Sequence, residues 1–198
     1  MKEKKYGIIG KPLSHSLSPF LHNYWFNKYK ILANYSLIEV ELKEIDGVIK
    51  KIRSGELDGI NVTVPYKQAV IPFLDLLVGD AKETLSVNTV MLNEEGKIVG
   101  DNTDSSGFEK ALDHIDYKVA GKKIFLLGAG GVAPSIIYSL EKMKAGSITL
   151  SNRTKAKAQK IKECFPNVNI INWGEMVNFD MIINATSLGL SKDDKLDF

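Results

Sequence analysis

A chain of 198 residues, 44% of them hydrophobic, is long enough to bury a real core as one large domain or two small ones, which excludes a disordered polypeptide. With 26 Lys and Arg against 24 Asp and Glu, the charge balance gives no reason to expect nucleic acid or an anionic membrane surface, so a small molecule is the expected partner. The single cysteine, Cys164, cannot build a disulfide framework, and His15, His22 and His114 show no metal-ligand spacing with it, so no metal site is expected.

The opening stretch MKEKKYGIIGKPLSHS has basic residues but no uninterrupted apolar run, and no apolar run in the chain is long enough to span a bilayer. A cytoplasmic protein is therefore expected, of an oligomeric state that the sequence leaves open. Short β-like runs then alternate with helical ones. Lys5 to Gly10 reads as a strand, a helix begins near Pro19, Tyr35 to Val40 is a strand, and a second helix begins near Lys43. Gly59 to Val64 is a strand, a helix follows Pro65, and Ser86 to Leu92 is a strand. Val87 to Leu92 and Lys97 to Gly100, joined by Asn93-Glu-Glu-Gly96, read as a hairpin, so the first sheet is expected to be mixed. A helix over Ser106 to His114 leads to a polar joint at Lys118 to Lys122.

After the joint the alternation restarts: strands at Lys123 to Leu127, Ser147 to Leu150 and Asp180 to Asn184, with helices between. The rhythm is α/β, and the restart predicts two domains, 1–117 and 118–198. The segment Gly128-Ala129-Gly130-Gly131-Val132-Ala133 follows an apolar strand and opens a helix, the context in which a glycine-rich turn binds a dinucleotide. Gly128 permits the tight turn, Gly130 lets backbone N–H groups approach a pyrophosphate, and Ala133 allows helix and strand to pack closely. The next strand runs out into Ser151-Asn152-Arg153-Thr154-Lys155-Ala156-Lys157, without the acid that an NAD site presents to the ribose. Arg153, with Thr154 and Lys155 or Lys157, suits a 2′-phosphate, so NADP is favoured over NAD. Solvated lysines beside Thr154 as a helix N-cap are the plainer explanation, and capping does not exclude phosphate binding.

Hydride transfer to a carbonyl also moves a proton, so an acid/base group is required beside hydrogen-bond donors. Lys67, after Asn61-Val-Thr63-Val-Pro65, and Asp104, after Gly100-Asp-Asn-Thr103, are the candidates, both where loops leave the scaffold. Each alone is explained as readily by a helix start: Lys67 exposed in a first turn, Asp104 as a cap or dipole partner. Asn61 and Thr63 occupy alternate strand positions and so share a face, from which Pro65 ends the strand and the chain turns to project Lys67.

Seven segments in order make the chain resemble the shikimate dehydrogenase family over essentially its whole length: Ser14-His-Ser16-Leu-Ser-Pro19, Asn61 to Lys67, Val87-Asn88-Thr89, Asn102-Thr-Asp104 with Gly107, Gly128-Ala-Gly-Gly131, Asn152-Arg-Thr154 and Asn184-Ala-Thr186-Ser187. The resemblance implies an N-terminal substrate domain with a mixed sheet and a Rossmann-like, doubly wound NADP-binding domain. It implies reversible NADPH-dependent reduction of 3-dehydroshikimate to shikimate, on the way to aromatic amino acids. Ser14 and Ser16 are then expected to hold the substrate carboxylate, although Ser18-Pro19 reads better as an N-cap and first-turn pair. By the same resemblance Asn61, Thr63 and Asn88 are expected to grip ring hydroxyls or the catalytic side chains, and Lys67 with Asp104 to handle the proton. Thr186 and Ser187 join Gly128 to Val132 and Asn152 to Lys157 as expected cofactor contacts.

The chain departs from the family pattern at Leu85-Ser86, where small residues are common, at Pro134 in the cofactor helix, and at its end. Family members continue beyond the Asn-Ala-Thr-Ser loop, so a C-terminally truncated member is expected. Two rivals remain: a quinate/shikimate dehydrogenase of relaxed choice, which kinetics with each cofactor would separate, and a non-catalytic dinucleotide or metabolite binder, which would bind shikimate without reducing NADP.

Overall fold

The computed structural model describes residues 2–189 and residue 194; the rest of the tail, on which the truncation reading rests, lies outside the described residues. In β1 (Lys4–Gly10) successive side chains point to opposite faces, so Ile9 enters the larger core while Ile8 joins a smaller cluster with Leu13 and Tyr35. β1 pairs in parallel with both β2 (Ala33–Glu39) and β3 (Gly59–Val62). The connection from β1 to β2 is α1 (Ser18–Lys28). The one from β2 to β3 is a single 3-10 turn, Leu42–Glu44, followed by α2 (Ile45–Arg53). Ile45, Val48, Ile49 and Ile52 recur at helical spacing, and all four are buried on the face that α2 turns to the sheet.

The helix expected after Pro65 does not form. Residues 65–70 make turns, then a 3-10 turn spans Ile71–Phe73 and the two-residue strand β4 (Leu76–Leu77) follows. Pro72 has no N–H to give and its ring crowds the preceding turn, so an α-helix cannot run through it. After α3 (Ala81–Thr84), β5 (Thr89–Leu92) and β6 (Ile98–Asp101) form the expected hairpin, closed by the Asn93 N–H donating to Lys97 O at 2.9 Å. The sheet order is β2-β1-β3-β5-β6-β4, with β5 antiparallel to both neighbours, so the sheet is mixed.

The second half contains α4 (Asp104–His114), β7 (Lys123–Leu127), α5 (Ala133–Lys142), β8 (Ser147–Ser151), α6 (Lys155–Cys164), β9 (Asn169–Ile171) and β10 (Met181–Asn184). Its described strands form a parallel sheet in the order β10-β7-β8-β9. Pro134 falls within the first two positions of α5, where a missing N–H costs little. The chain divides into compact units at Met1–Thr103 and Asp104–Phe198, so the break precedes α4 instead of falling at residue 118. The reason is packing: Ser139 Oγ donates to Ser105 O at 3.1 Å, Lys142 pairs with Glu109 at 2.9 Å, and Phe108 and Leu112 join the second core. Among the described residues no helix is long and apolar enough to cross a membrane.

Candidate active site

In the first unit, strand directions gather the candidate residues. β1, β3 and β6 run parallel and end at one edge of the sheet, and antiparallel β5 begins there. Ser14 and Ser16 therefore leave β1, Thr63 to Lys67 leave β3, Asn88 precedes β5, and Asn102 and Thr103 follow β6, all at that edge. The exits of β1 and β3 are in close contact. A Cβ on Gly10 would lie 2.8 Å from Leu13 Cδ2 and 2.9 Å from Val64 O, so only glycine fits this approach.

On β3, Ile60 and Val62 go to the core while Asn61 is half-buried, as is Thr63 just past the strand end. Asn61 is held by three side-chain hydrogen bonds. The Tyr35 phenol donates to its Oδ1 at 2.7 Å, and its Nδ2 donates to Asn88 O at 3.1 Å and Thr89 Oγ1 at 3.2 Å. Thr89 Oγ1 passes a bond to Asn88 Oδ1 at 2.9 Å, which also accepts the Thr103 N–H at 3.0 Å, and Asn88 Nδ2 donates to Thr103 Oγ1 at 2.9 Å. Burial pushes the Tyr35 phenol well above its ordinary pKa, with the Ser18 hydroxyl acting in the opposite direction.

Lys67 is not an exposed first-turn residue, because its side chain is buried at 9% exposure. The preceding Tyr66 anchors the loop, with its ring in the core and its hydroxyl donating to Val40 O at 2.8 Å. On the other side, the Val87 N–H donates to Lys67 O at 2.8 Å. Between α3 and Val87, Leu85 adopts a left-handed φ of 46°, a conformation that costs a branched side chain energy and bends the chain toward Asn88. Asp104 is half-buried and opens α4, as the first residue of the second unit. Ser14 is exposed and Ser16 half-buried. The N-cap of α1 is Leu17, one residue before the expected Ser18, and Ser16 Oγ accepts the Ser18 N–H at 3.4 Å in place of a cap from Ser18 itself.

In the second unit, sequential strands run outward in opposite directions from β7, so the strand order reverses between β7 and β10, where an open parallel sheet leaves a crevice at its carboxyl ends. Gly128 stands at that point with φ 101°, and a Cβ there would meet Ala185 O and Thr186 Cγ2 at 2.8 Å. Gly130 differs: its Cβ would meet only Ala185 O, at an ordinary 3.7 Å, so packing within the protein does not demand glycine. Gly131 and Val132 complete the turn into the N-terminus of α5. Asn152 Oδ1 accepts the Ala129 N–H at 3.0 Å and its Nδ2 donates to Thr154 O at 2.8 Å, tying the glycine turn to the basic loop. Thr154 caps α6 by backbone position alone, without a side-chain bond, and Arg153 and Lys157 beside it are exposed. After β10, Asn184 Oδ1 accepts the N–H and hydroxyl of Thr186 at 2.9 and 2.6 Å, which shapes the loop carrying Ser187. A tight glycine turn at the strand-order reversal, a helix N-terminus and an arginine after β8 with no acid fit an NADP phosphate framework.

Residues 8–90 match the family model of the shikimate dehydrogenase substrate binding domain, and residues 109–190 match that of shikimate / quinate 5-dehydrogenase. The shikimate dehydrogenase (NADP(+)) of Pelagibacter ubique is 48% identical over 194 residues, which are 98% of this chain and 73% of that protein. The chain belongs to the shikimate dehydrogenase family. The crystal structure of shikimate dehydrogenase from Aquifex aeolicus matches with a TM-score of 0.90 at 40% identity, over 98% of this chain and 73% of that one. The Thermus thermophilus shikimate 5-dehydrogenase, in complex with NADP(H) and shikimate, matches with a TM-score of 0.83 at 28% identity, over 94% and 70%. Of the candidate residues in this shikimate dehydrogenase family chain, Asp104 alone lies between the two matched segments. Sequence reasoning assigned no role to Tyr35, Thr103 or Asn184. Thr103 and Asn184 lay inside recognised motifs, whereas Tyr35 carried no signal beyond its place in a strand.

Proposed function

We propose that this chain interconverts 3-dehydroshikimate and shikimate with NADP(H) as the redox partner. The reading is carried by one convergence: the exits of β1 and β3 and the start of β5 put Ser14, Ser16, Thr63, Lys67 and Asn88 at one sheet edge, in a chain 48% identical to an NADP(+) shikimate dehydrogenase. When bound, the cofactor would supply the hydride in reduction as NADPH and take it back in oxidation as NADP⁺. Lys67 gives a proton to the C3 oxygen as the carbonyl becomes an alcohol, and its positive charge stabilises the developing alkoxide. In oxidation it takes the proton back. Asp104 is its proposed partner in that transfer. The hydroxyls of Ser14 and Ser16 donate to the substrate carboxylate, while Asn61, Thr63 and Asn88 hold ring hydroxyls.

For the cofactor, Gly128, Ala129, Gly130, Gly131 and Val132 shape the turn against which the pyrophosphate rests. Asn152, Arg153, Thr154 and Lys157 form the 2′-phosphate side, with Arg153 suited to a bidentate grip. Thr186 and Ser187 close the other flank of the glycine turn. The test is to mix the chain with shikimate and NADP⁺ and to follow NADPH absorbance, with quinate and NAD⁺ as parallel substitutes. Turnover is expected with shikimate and NADP⁺ and should drop with either substitute. Shikimate binding by calorimetry without any turnover would replace this reading with a non-catalytic binder.

A further inference from the structure

We propose that Tyr35 is a positioning residue: it fixes the amide of Asn61 so that only a hydrogen-bond acceptor remains for the substrate, and the site there selects a hydroxyl donor. The inference rests on the reading that Asn61 faces substrate. Tyr35 sits on β2, with β1 between it and the β3 residue it reaches. Two strand spacings amount to about 9–10 Å, a span that a tyrosine side chain plus one hydrogen bond covers. No shorter side chain does so.

Tyr35 is itself immobilised in three ways. Its backbone N–H donates to Asn23 Oδ1 at 2.9 Å and its carbonyl accepts from Asn23 Nδ2 at 2.8 Å, so α1 clamps the edge strand at this residue. Its ring stacks on His22 at a centroid distance of 4.2 Å and an interplanar angle of 4°. Its side chain joins Ile8 and Leu13 in a buried cluster. Because burial raises its pKa, the phenol stays protonated at working pH and can only donate to Asn61.

An asparagine amide has two N–H donors and two acceptor lone pairs. Both Asn61 donors are taken, by Asn88 O and Thr89 Oγ1, and one lone pair is taken by Tyr35. The remaining lone pair on Oδ1 is what a ligand can use. A substrate hydroxyl satisfies it, whereas a carbonyl or ether oxygen at that point would oppose it and leave it unpaired. Thr89 carries the orientation on to Asn88 through its bond to Asn88 Oδ1.

Tyr35→Phe keeps the ring and the stack and removes only the donor. Shikimate affinity, read by calorimetry, should fall roughly 3–10-fold, the weight of one neutral hydrogen bond. In kinetics KM for shikimate should rise while kcat changes little. Among shikimate analogues each lacking one ring hydroxyl, the one missing the Asn61 partner should bind Tyr35→Phe and the parent equally well. In an Asn61→Ala background Tyr35→Phe should add nothing. Thr89→Val, which frees the other side of the same amide, should act in the same direction if Tyr35→Phe compromises folding, as judged by thermal unfolding and by NADP titration.

An unchanged shikimate affinity in Tyr35→Phe, with Asn61→Ala impaired, overturns the positioning role alone. An equal loss in both backgrounds also overturns it, because the effect would then not pass through Asn61. An Asn61→Ala variant that binds shikimate normally removes Asn61 from the substrate site and takes this proposal down with the reading beneath it.

Discussion

Gly128 and Gly130 stand two residues apart in one motif, yet an added Cβ would meet different surroundings at each, which alanine substitution at both should reveal. At Gly128 the backbone has φ 101° and an added Cβ would lie 2.8 Å from Ala185 C, Ala185 O and Thr186 Cγ2. Backbone strain in a left-handed region costs about 1–2 kcal/mol. Forcing β7 and the Asn184–Thr186 loop apart adds an overpacking cost of about 1–3 kcal/mol. A loss of about 2–5 kcal/mol is a large part of the stability of an ordinary domain. At Gly130 the nearest atom to an added Cβ is 3.7 Å away, so Gly130→Ala should hold its unfolding midpoint. Its methyl should instead occupy the approach of the pyrophosphate, and NADP affinity should fall by roughly 5–150-fold, as a clash of about 1–3 kcal/mol implies. Urea unfolding followed by circular dichroism measures the first effect and NADP titration the second. If Gly130→Ala binds NADP as tightly as the parent, or if Gly128→Ala unfolds at the parent midpoint, the division of labour argued from these distances is wrong.

Lys67→Ala should lower shikimate turnover by roughly 10²–10⁴-fold with NADP binding unchanged; near-normal turnover in a correctly folded variant removes Lys67 from proton transfer. Arg153→Ala should weaken NADP by roughly 10–100-fold, the weight of charge-assisted bonds to a phosphate, and leave NAD almost untouched. Equal losses for both cofactors would place Arg153 elsewhere than at the 2′-phosphate. Asp75 is held below its ordinary 3.8, first by the Ile98 N–H donating at 2.7 Å and then by the Arg53 guanidinium at 2.9 Å. A depressed folded pKa contributes stability above the unfolded value and loses it as pH falls through the folded value. Thermal midpoints of Asp75→Asn should therefore decline less on acidification below the ordinary carboxylate value than those of the parent, and an identical acid limb would exclude this contribution.

Local patterns made much of the fold readable in advance. The apolar residues of α2 recur at helical spacing and bury together, and the Asn93-Glu-Glu-Gly96 loop predicts the hairpin that makes the first sheet mixed. β4 and β9 escaped because two or three residues carry too little periodicity to be seen, and their strand character comes from pairing with β6 and β8. The helix expected after Pro65 failed for a reason present in the sequence, Pro72, whose effect depends on how far the turn before it has already departed from helical geometry.

The same distinction explains which site residues were legible. Asn61, Thr63 and Lys67 lie within seven consecutive residues, so strand alternation and one proline already set their relation. Asn88 reaches them only because β5 runs antiparallel to β3 and brings Thr89 opposite Asn61. Tyr35 depends on more still: a parallel register that sets it against Tyr6, a sheet order that places β1 between it and Asn61, and an α1 residue that clamps its backbone. A register slip of one residue would turn its ring to the opposite face and remove the bond to Asn61 without altering any motif. The candidate substrate contacts can therefore be recognised as short strings, while the residues proposed to orient them are defined by pairing between strands distant in sequence.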